Sequence, residues 1–257
     1  MLETTYALGT ADEVITSSTY CSCGGLATDT DALGNTTTYA RDDLHRVTSV
    51  TLPDPDGAGT LTSPVITYTY NSMGLVATES INGQTTTYGY DSYGRLTAVT
   101  ENDPDGTGPL SAPVTSYTYD TAGRLLTTTD PLGNVTTNTD TAGLLTSVAL
   151  PDPDSTGPLT APVISYTYDA AGQLLTKTDP LGNVTSYAND ALGRLTTITL
   201  PDPDGGGPLA AQTSTTTYDS MGRISSYSNF DDSVVTYTYD SEGNLLTENH
   251  GVRNNHV

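Results

Sequence analysis

The chain is short of positive charge. Of its 257 residues only 8 are Lys or Arg, against 30 Asp or Glu, and the formal net charge is −22. A protein that grips nucleic acid does so by neutralising phosphates with Lys and Arg, so that class of function is excluded. The same deficit excludes docking on an anionic membrane surface. Long apolar runs are missing as well. No stretch approaches the ~20 consecutive apolar residues of a membrane-spanning helix, and no membrane insertion is expected. Trp is absent, Phe occurs once (Phe230), and good helix formers such as Lys, Glu, Gln and Met are scarce.

What is present points to strands and turns. Thr makes up about a fifth of the chain, beside 17 Tyr, 25 Gly and 15 Pro. Thr and Tyr favour a pleated, half-buried surface, while Gly, Pro and Asp favour turns. The composition is that of an all-β or a disordered chain, and internal repetition decides between them. The turn glycines Gly24, Gly74, Gly123, Gly172 and Gly222 follow one another at intervals of 50, 49, 49 and 50 residues. The implied organisation is an incomplete first repeat over residues 1–23 and super-repeats over 24–73, 74–122, 123–171 and 172–221. An incomplete fifth super-repeat with a tail then fills 222–257.

Each super-repeat subdivides. A small unit reads Tyr-x-Tyr-Asp-x-x-Gly-Arg-Leu, as in Tyr88 to Leu96 and Tyr117 to Leu125, and is followed by Thr-rich residues and Asp-Pro-Leu-Gly-Asn. This is the pattern of strand, tight turn, strand. Asp accepts backbone N–H groups across the turn, and Gly three residues later takes the left-handed conformation of a type I turn with a bulge. The turn glycines expected on this basis are Gly74, Gly94, Gly123, Gly133, Gly143, Gly172, Gly182, Gly193, Gly222 and Gly243. Leu two residues after the glycine (Leu96, Leu125, Leu145, Leu174, Leu195, Leu245) is expected on a packed face. Between small units lie Pro-Asp segments such as Leu52-Pro-Asp-Pro-Asp-Gly and Leu200-Pro-Asp-Pro-Asp-Gly. They read as longer hairpins with projecting tips, because Pro is excluded from central strands.

These motifs resemble the YD-repeat, or Rhs-repeat, family. The matching segments are Tyr88 to Leu96, Tyr117 to Thr136, Tyr166 to Thr185 and Tyr237 to Leu245, and degenerate copies fill most of the remainder. The resemblance implies antiparallel hairpins in a continuous curved or spiralling sheet, as in toxin-complex shells, bacterial Rhs proteins and teneurins. It also implies a secreted or surface protein whose repeats act as shell or stalk. The self-cleaving segment and variable toxic C-terminus of complete Rhs toxins have no counterpart in Glu248 to Val257. The chain starts and stops in mid-rhythm. The expectation is therefore a piece of a longer array, or copies that join end to end through sheet edges.

Candidate chemistry is sparse. Of three histidines (His45, His250, His256), His45 replaces a turn glycine beside Asp42 and Asp43, without a nucleophile motif. Asp54 and Asp56, Asp103 and Asp105, Asp152 and Asp154, and Asp202 and Asp204 are candidate ligands for weak calcium binding at the Pro-rich tips. They do not form an EF-hand, since Leu52 falls where the first loop acid belongs and, in the Glu101 copy, Ala112 falls where the last belongs. No other cofactor is expected. Arg46, Arg95, Arg124, Arg194 and Arg223 follow the turn position and are suited to cation–π or ion-pair ladders between repeats. Tyr rows offer stacking faces to glycans. Cys21 and Cys23 are too few for zinc, and residues two apart rarely bridge each other well. They are either inert thiols or an intermolecular disulfide to another chain. Asn35, Asn134 and Asn183 sit in glycosylation sequons.

The sequence thus specifies an all-β protein of repeated antiparallel hairpins, non-enzymatic and structural. Its expected place is a bacterial extracellular or cell-surface shell, stalk or filament. Its expected partners are copies of itself or further repeats of a longer chain. A shell segment of an Rhs-type toxin-delivery protein and an adhesion or glycan-binding module are the alternatives.

Overall fold

A computed structural model describes residues 2–6, 14–57, 59–106, 108–154, 157, 159–207 and 209–251. Among them are 21 strands and no helix. The chain divides into two compact units, residues 1–119 with 128–133 and residues 120–127 with 134–257. In each unit every strand pairs antiparallel with its sequence neighbours. The first unit runs in this way from Leu2–Tyr6 to Val114–Tyr119. The second runs from Val135–Thr141 to Leu245–His250. The all-β hairpin architecture is the one the repeats call for, and the bulge appears where the turn type requires it. The register slips by one residue at Thr69/Tyr70, Thr167/Tyr168 and Thr217/Tyr218, immediately ahead of the turn.

The period-2 alternation of a strand separates two chemistries. One face carries Thr and Ser in register, as in Thr28↔Thr38, Thr78↔Thr87, Thr197↔Thr215 and Ser226↔Thr236. Hydroxyl pairs cross the ladder at 2.6 Å between Thr69 and Thr78 and between Thr167 and Thr176. The other face carries the tyrosines and aliphatics, together with Glu79 opposite Tyr68, Lys177 opposite Tyr166 and Glu248 opposite Tyr237.

No hydrophobic side chain among the described residues is buried, and Ser214 is the one buried polar residue among them. The expected packed leucine face is therefore not formed. Leu96, Leu125, Leu145 and Leu174 are half-buried, and Leu195 and Leu245 are exposed. The reason is architectural: an apolar stripe is buried only against a second layer, and within each unit the strands form a single one. Cohesion comes from the backbone ladder, from neighbouring side chains on each face and from the hairpin ends.

The Pro-Asp segments each connect two antiparallel-paired strands, as the hairpin reading requires. Among their described residues there is no strand; each is an irregular loop closed at its base by one backbone bond. Leu52 N–H donates to the Pro64 carbonyl (2.9 Å), and Leu150 N–H to that of Pro162 (2.8 Å). Proline removes the N–H groups that a ladder needs, so the segment leaves the sheet rather than lengthening it.

Candidate functional site

Antiparallel order sends successive hairpin ends alternately to two rims of the sheet. In the first unit, turns 21–25, 42–46, 71–75 and 91–95 share one rim, and the loops 52–64 and 101–113 lie on the other. The second unit repeats this, with turns 169–173, 190–194 and 219–223 opposite the loops 150–162 and 200–212.

On the first rim a single device recurs. At the 190–194 turn, Asp190 Oδ1 accepts the N–H groups of Leu192 (2.9 Å) and Arg194 (3.0 Å). Its Oδ2 takes Arg194 Nε at 2.8 Å and Nη2 at 2.6 Å. The guanidinium then lies over the Tyr218 ring of the next hairpin, 4.2 Å from its centroid. Tyr218 in turn donates its hydroxyl to the Leu195 carbonyl (2.9 Å). Arg46 with Tyr70, Arg95 with Tyr119 and Arg223 with Tyr239 repeat the stacking at 4.2, 4.6 and 4.4 Å. Ion pair and cation–π contact thus combine in one ladder. Arg194 and Arg46 hold the Asp190 and Asp42 carboxyls below the usual carboxylate range, mainly through the side-chain hydrogen bond. On the opposite rim, the Asn35 and Asn183 amides do the same for Asp31 and Asp179, which places two of the three sequon amides in turn clamps.

The ten turn glycines predicted from the repeat all lie at φ between +79° and +93°. His45 occupies the same conformation at +64°, and its neighbour Asp42 is taken up by Arg46. No acid–base pair with His45 is formed. His256 lies outside the described residues.

The eight aspartates of the Pro-Asp loops are brought together two by two and turned toward their own backbone. Asp54 Oδ1 accepts Asp56 N–H (3.2 Å), and Asp56 Oδ2 accepts Leu61 N–H (3.1 Å). Asp103 with Asp105, Asp152 with Asp154 and Asp202 with Asp204 repeat the arrangement. Among the described residues no group of three or more His, Cys, Asp or Glu side chains is placed to hold a metal ion.

Cys21 and Cys23, read from the sequence as inert thiols or as an intermolecular disulfide, are bonded to each other. The turn brings their Cα atoms to 5.1 Å, inside the span of a disulfide. Sequence spacing alone underrated this, because an extended chain separates such residues further.

The family model described as RHS Repeat matches residues 25–57, 74–107, 103–135 and 163–204, a little over half of the chain. No match is found among curated proteins. Among solved structures the chain is similar to the TcdB2-TccC3-Cdc42 crystal structure, with a TM-score of 0.66 and 22% identity over 93% of this chain and 13% of that one. The TcdB2-TccC3-TEV crystal structure gives 0.66 and 23%, with the same coverage. A Tc holotoxin pore of Photorhabdus luminescens gives 0.54 and 20%, over 90% and 14%. The chain spans about an eighth of the length of those chains. On the family match, this chain belongs to the RHS repeat family.

Proposed function

We propose that the protein is a non-enzymatic wall segment in the shell of an Rhs-type toxin-delivery protein, acting outside the bacterial cell. The observation that carries the reading is the absence of any buried hydrophobic side chain among the described residues of either unit. A sheet accessible on both faces suits a partition between two aqueous spaces, whereas a globular domain buries its apolar face against a second layer. The rim ladder supplies stiffness through contacts between neighbouring hairpins, so length is added without a core. Further repeats are the natural partners, since strand pairing and the Arg–Tyr stack both continue from one hairpin to the next. The test is electron microscopy of the parent protein, with this segment located by an inserted tag. A tag in a one-sheet-thick wall supports the reading, and a tag in a solid domain overturns it.

A second reading, a glycan-binding module, draws on one feature. An apolar cleft of about 260 Å³ on the tyrosine face is lined by Tyr39, Val47, Val50, Tyr68, Tyr70 and Val76. Aromatic faces of this kind suit sugar rings, and a soluble-glycan array tests it.

A further inference from the structure

In a repeat protein, a place where several positions depart from the rule together marks a specialised site. Four such departures meet in adjacent hairpins of the first unit. Cys21 begins a turn where the neighbouring turns begin with Asp or Asn (Asp42, Asn71, Asp91). Gly25 ends that turn where Arg46, Leu75 and Arg95 end theirs. Arg41 precedes the next turn, where Tyr70 and Tyr90 precede the following ones. His45 takes the left-handed position in place of glycine, at φ +64°, a conformation that residues with a side chain adopt uncommonly.

These departures fit each other. Arg41 reaches back across the disulfide-closed turn, donating from Nη2 to the Leu26 carbonyl (3.4 Å) and from Nη1 to the His45 carbonyl (2.9 Å). Its Nε is buried without a hydrogen-bond partner. A Cβ at residue 25 would stand 2.7 Å from that Nε, so the guanidinium holds its place because residue 25 is glycine. Arg46, Arg95, Arg124, Arg194 and Arg223 each pair with an aspartate, whereas Arg41 has no carboxylate partner among the described residues. An open cleft of about 350 Å³ joins the two turns, lined by the disulfide, Tyr39, Arg41, Asp42, Asp43 and His45. Asp42 is engaged by Arg46, so Arg41 and Asp43 are the charged side chains of the cleft that make no ion pair among the described residues.

We propose that Cys21–Cys23 is a thiol–disulfide exchange site whose substrates are dithiols. A thiolate of the dithiol enters the cleft and attacks one cysteine sulfur. The Cys21–Cys23 bond breaks, a mixed disulfide forms, and the other cysteine leaves as a thiolate in the cleft that Arg41 also lines. The second thiol of the donor loses its proton to solvent and attacks the mixed disulfide. The donor is released as its own disulfide, and two electrons remain on Cys21 and Cys23. An adjacent guanidinium lowers a thiol's pKa from about 8.5 and so favours the reduced state.

The test uses the full chain, reduced with dithiothreitol and alkylated with iodoacetamide across pH, the rate being followed at Cys21 and Cys23 by mass spectrometry. The expected midpoint lies at least about one unit below 8.5, with a rate at pH 7 roughly tenfold above that of a free peptide of the same turn. Arg41→Lys keeps most of the advantage and Arg41→Met loses it. Gly25→Ala, which displaces the guanidinium without removing its charge, loses it too, while circular dichroism of all three variants stays that of the native sheet. An ordinary midpoint in the native chain, or one unchanged by Arg41→Met and Gly25→Ala, overturns the proposal and leaves the disulfide a structural closure of its turn.

Discussion

Removing a single hydroxyl from Tyr119 tests how neighbouring hairpins are held. Its phenol donates to the Leu96 carbonyl at 2.7 Å, bridging 23 residues of sequence, while the ring lies 4.6 Å from the Arg95 guanidinium carbon. Tyr119→Phe deletes the hydrogen bond and keeps the ring, so the expected loss is the net worth of one such bond, about 1 kcal/mol. Tyr119→Ala also removes the cation–π contact, about 0.5–1 kcal/mol at a partly exposed site, and half-buried apolar surface, for a total of roughly 2–3 kcal/mol. Tyr93 serves as the control. Its side chain is 83% exposed, and Tyr93→Phe is expected to stay within about 0.5 kcal/mol of the native chain. The assay is urea unfolding followed by circular dichroism, comparing midpoints at constant slope. Tyr168 and Tyr218 make the same bond in the second unit, to Leu145 and Leu195. The Phe double variant there should lose the sum of the single losses, as expected when coupling is confined to neighbours. A Tyr119→Phe midpoint indistinguishable from that of Tyr93→Phe would refute the bridging role, whatever Tyr119→Ala does.

Acid should loosen the rims. Asp42 and Asp190 have lowered pKa values through Arg46 and Arg194, and Asp31, Asp179 and Asp240 through the amides of Asn35, Asn183 and Asn244. A carboxyl whose folded pKa lies below its unfolded value stabilises above the unfolded value and loses that contribution as pH falls through the folded one. Melting temperature should therefore hold steady above about pH 5 and decline below the ordinary carboxyl value of 3.8; a melting temperature flat down to pH 2.5 contradicts the clamp. Ala142, at φ +53°, stands in a conformation that glycine adopts freely. Ala142→Gly should stabilise by roughly 1 kcal/mol, and Gly182→Ala, at φ +85° with open space around it, should destabilise by a similar amount. Opposite signs in urea unfolding support this, and equal signs do not. Calcium at millimolar concentration should leave the melting temperature unchanged, since Asp54 and Asp56 already accept backbone N–H groups. A calcium-dependent rise that Asp56→Asn abolishes would show that these loops open to bind.

The hairpins were legible because each is encoded locally. Asp190 and Gly193 sit three residues apart in a turn that uses both, and the alternation of Thr and Tyr fixes which face each side chain takes. The Asp–Arg pairing was placed differently: the arginines suggested ion pairs between repeats, whereas Asp190 and Arg194 pair within one turn. What joins one hairpin to the next was less legible. The Tyr218 hydroxyl meets the Leu195 carbonyl across 23 residues, and only the sheet register brings them together. The leucine positions misled in a different way. A periodic apolar residue normally announces a core, but Leu195 and Leu245 have no second layer to meet and stay exposed. Cys21, Gly25, Arg41 and His45 carried a readable signal, since each breaks the repeat rule, yet only the fold shows that the four breaks lie side by side.

The central claim is a wall one sheet thick, held by its backbone ladder and its rims. Cryo-electron microscopy at a resolution that separates strands tests it most directly. The account predicts strands about 4.8 Å apart with solvent against both the threonine face and the tyrosine face. A second sheet or helix layer of the same chain packed about 10 Å from either face would contradict it.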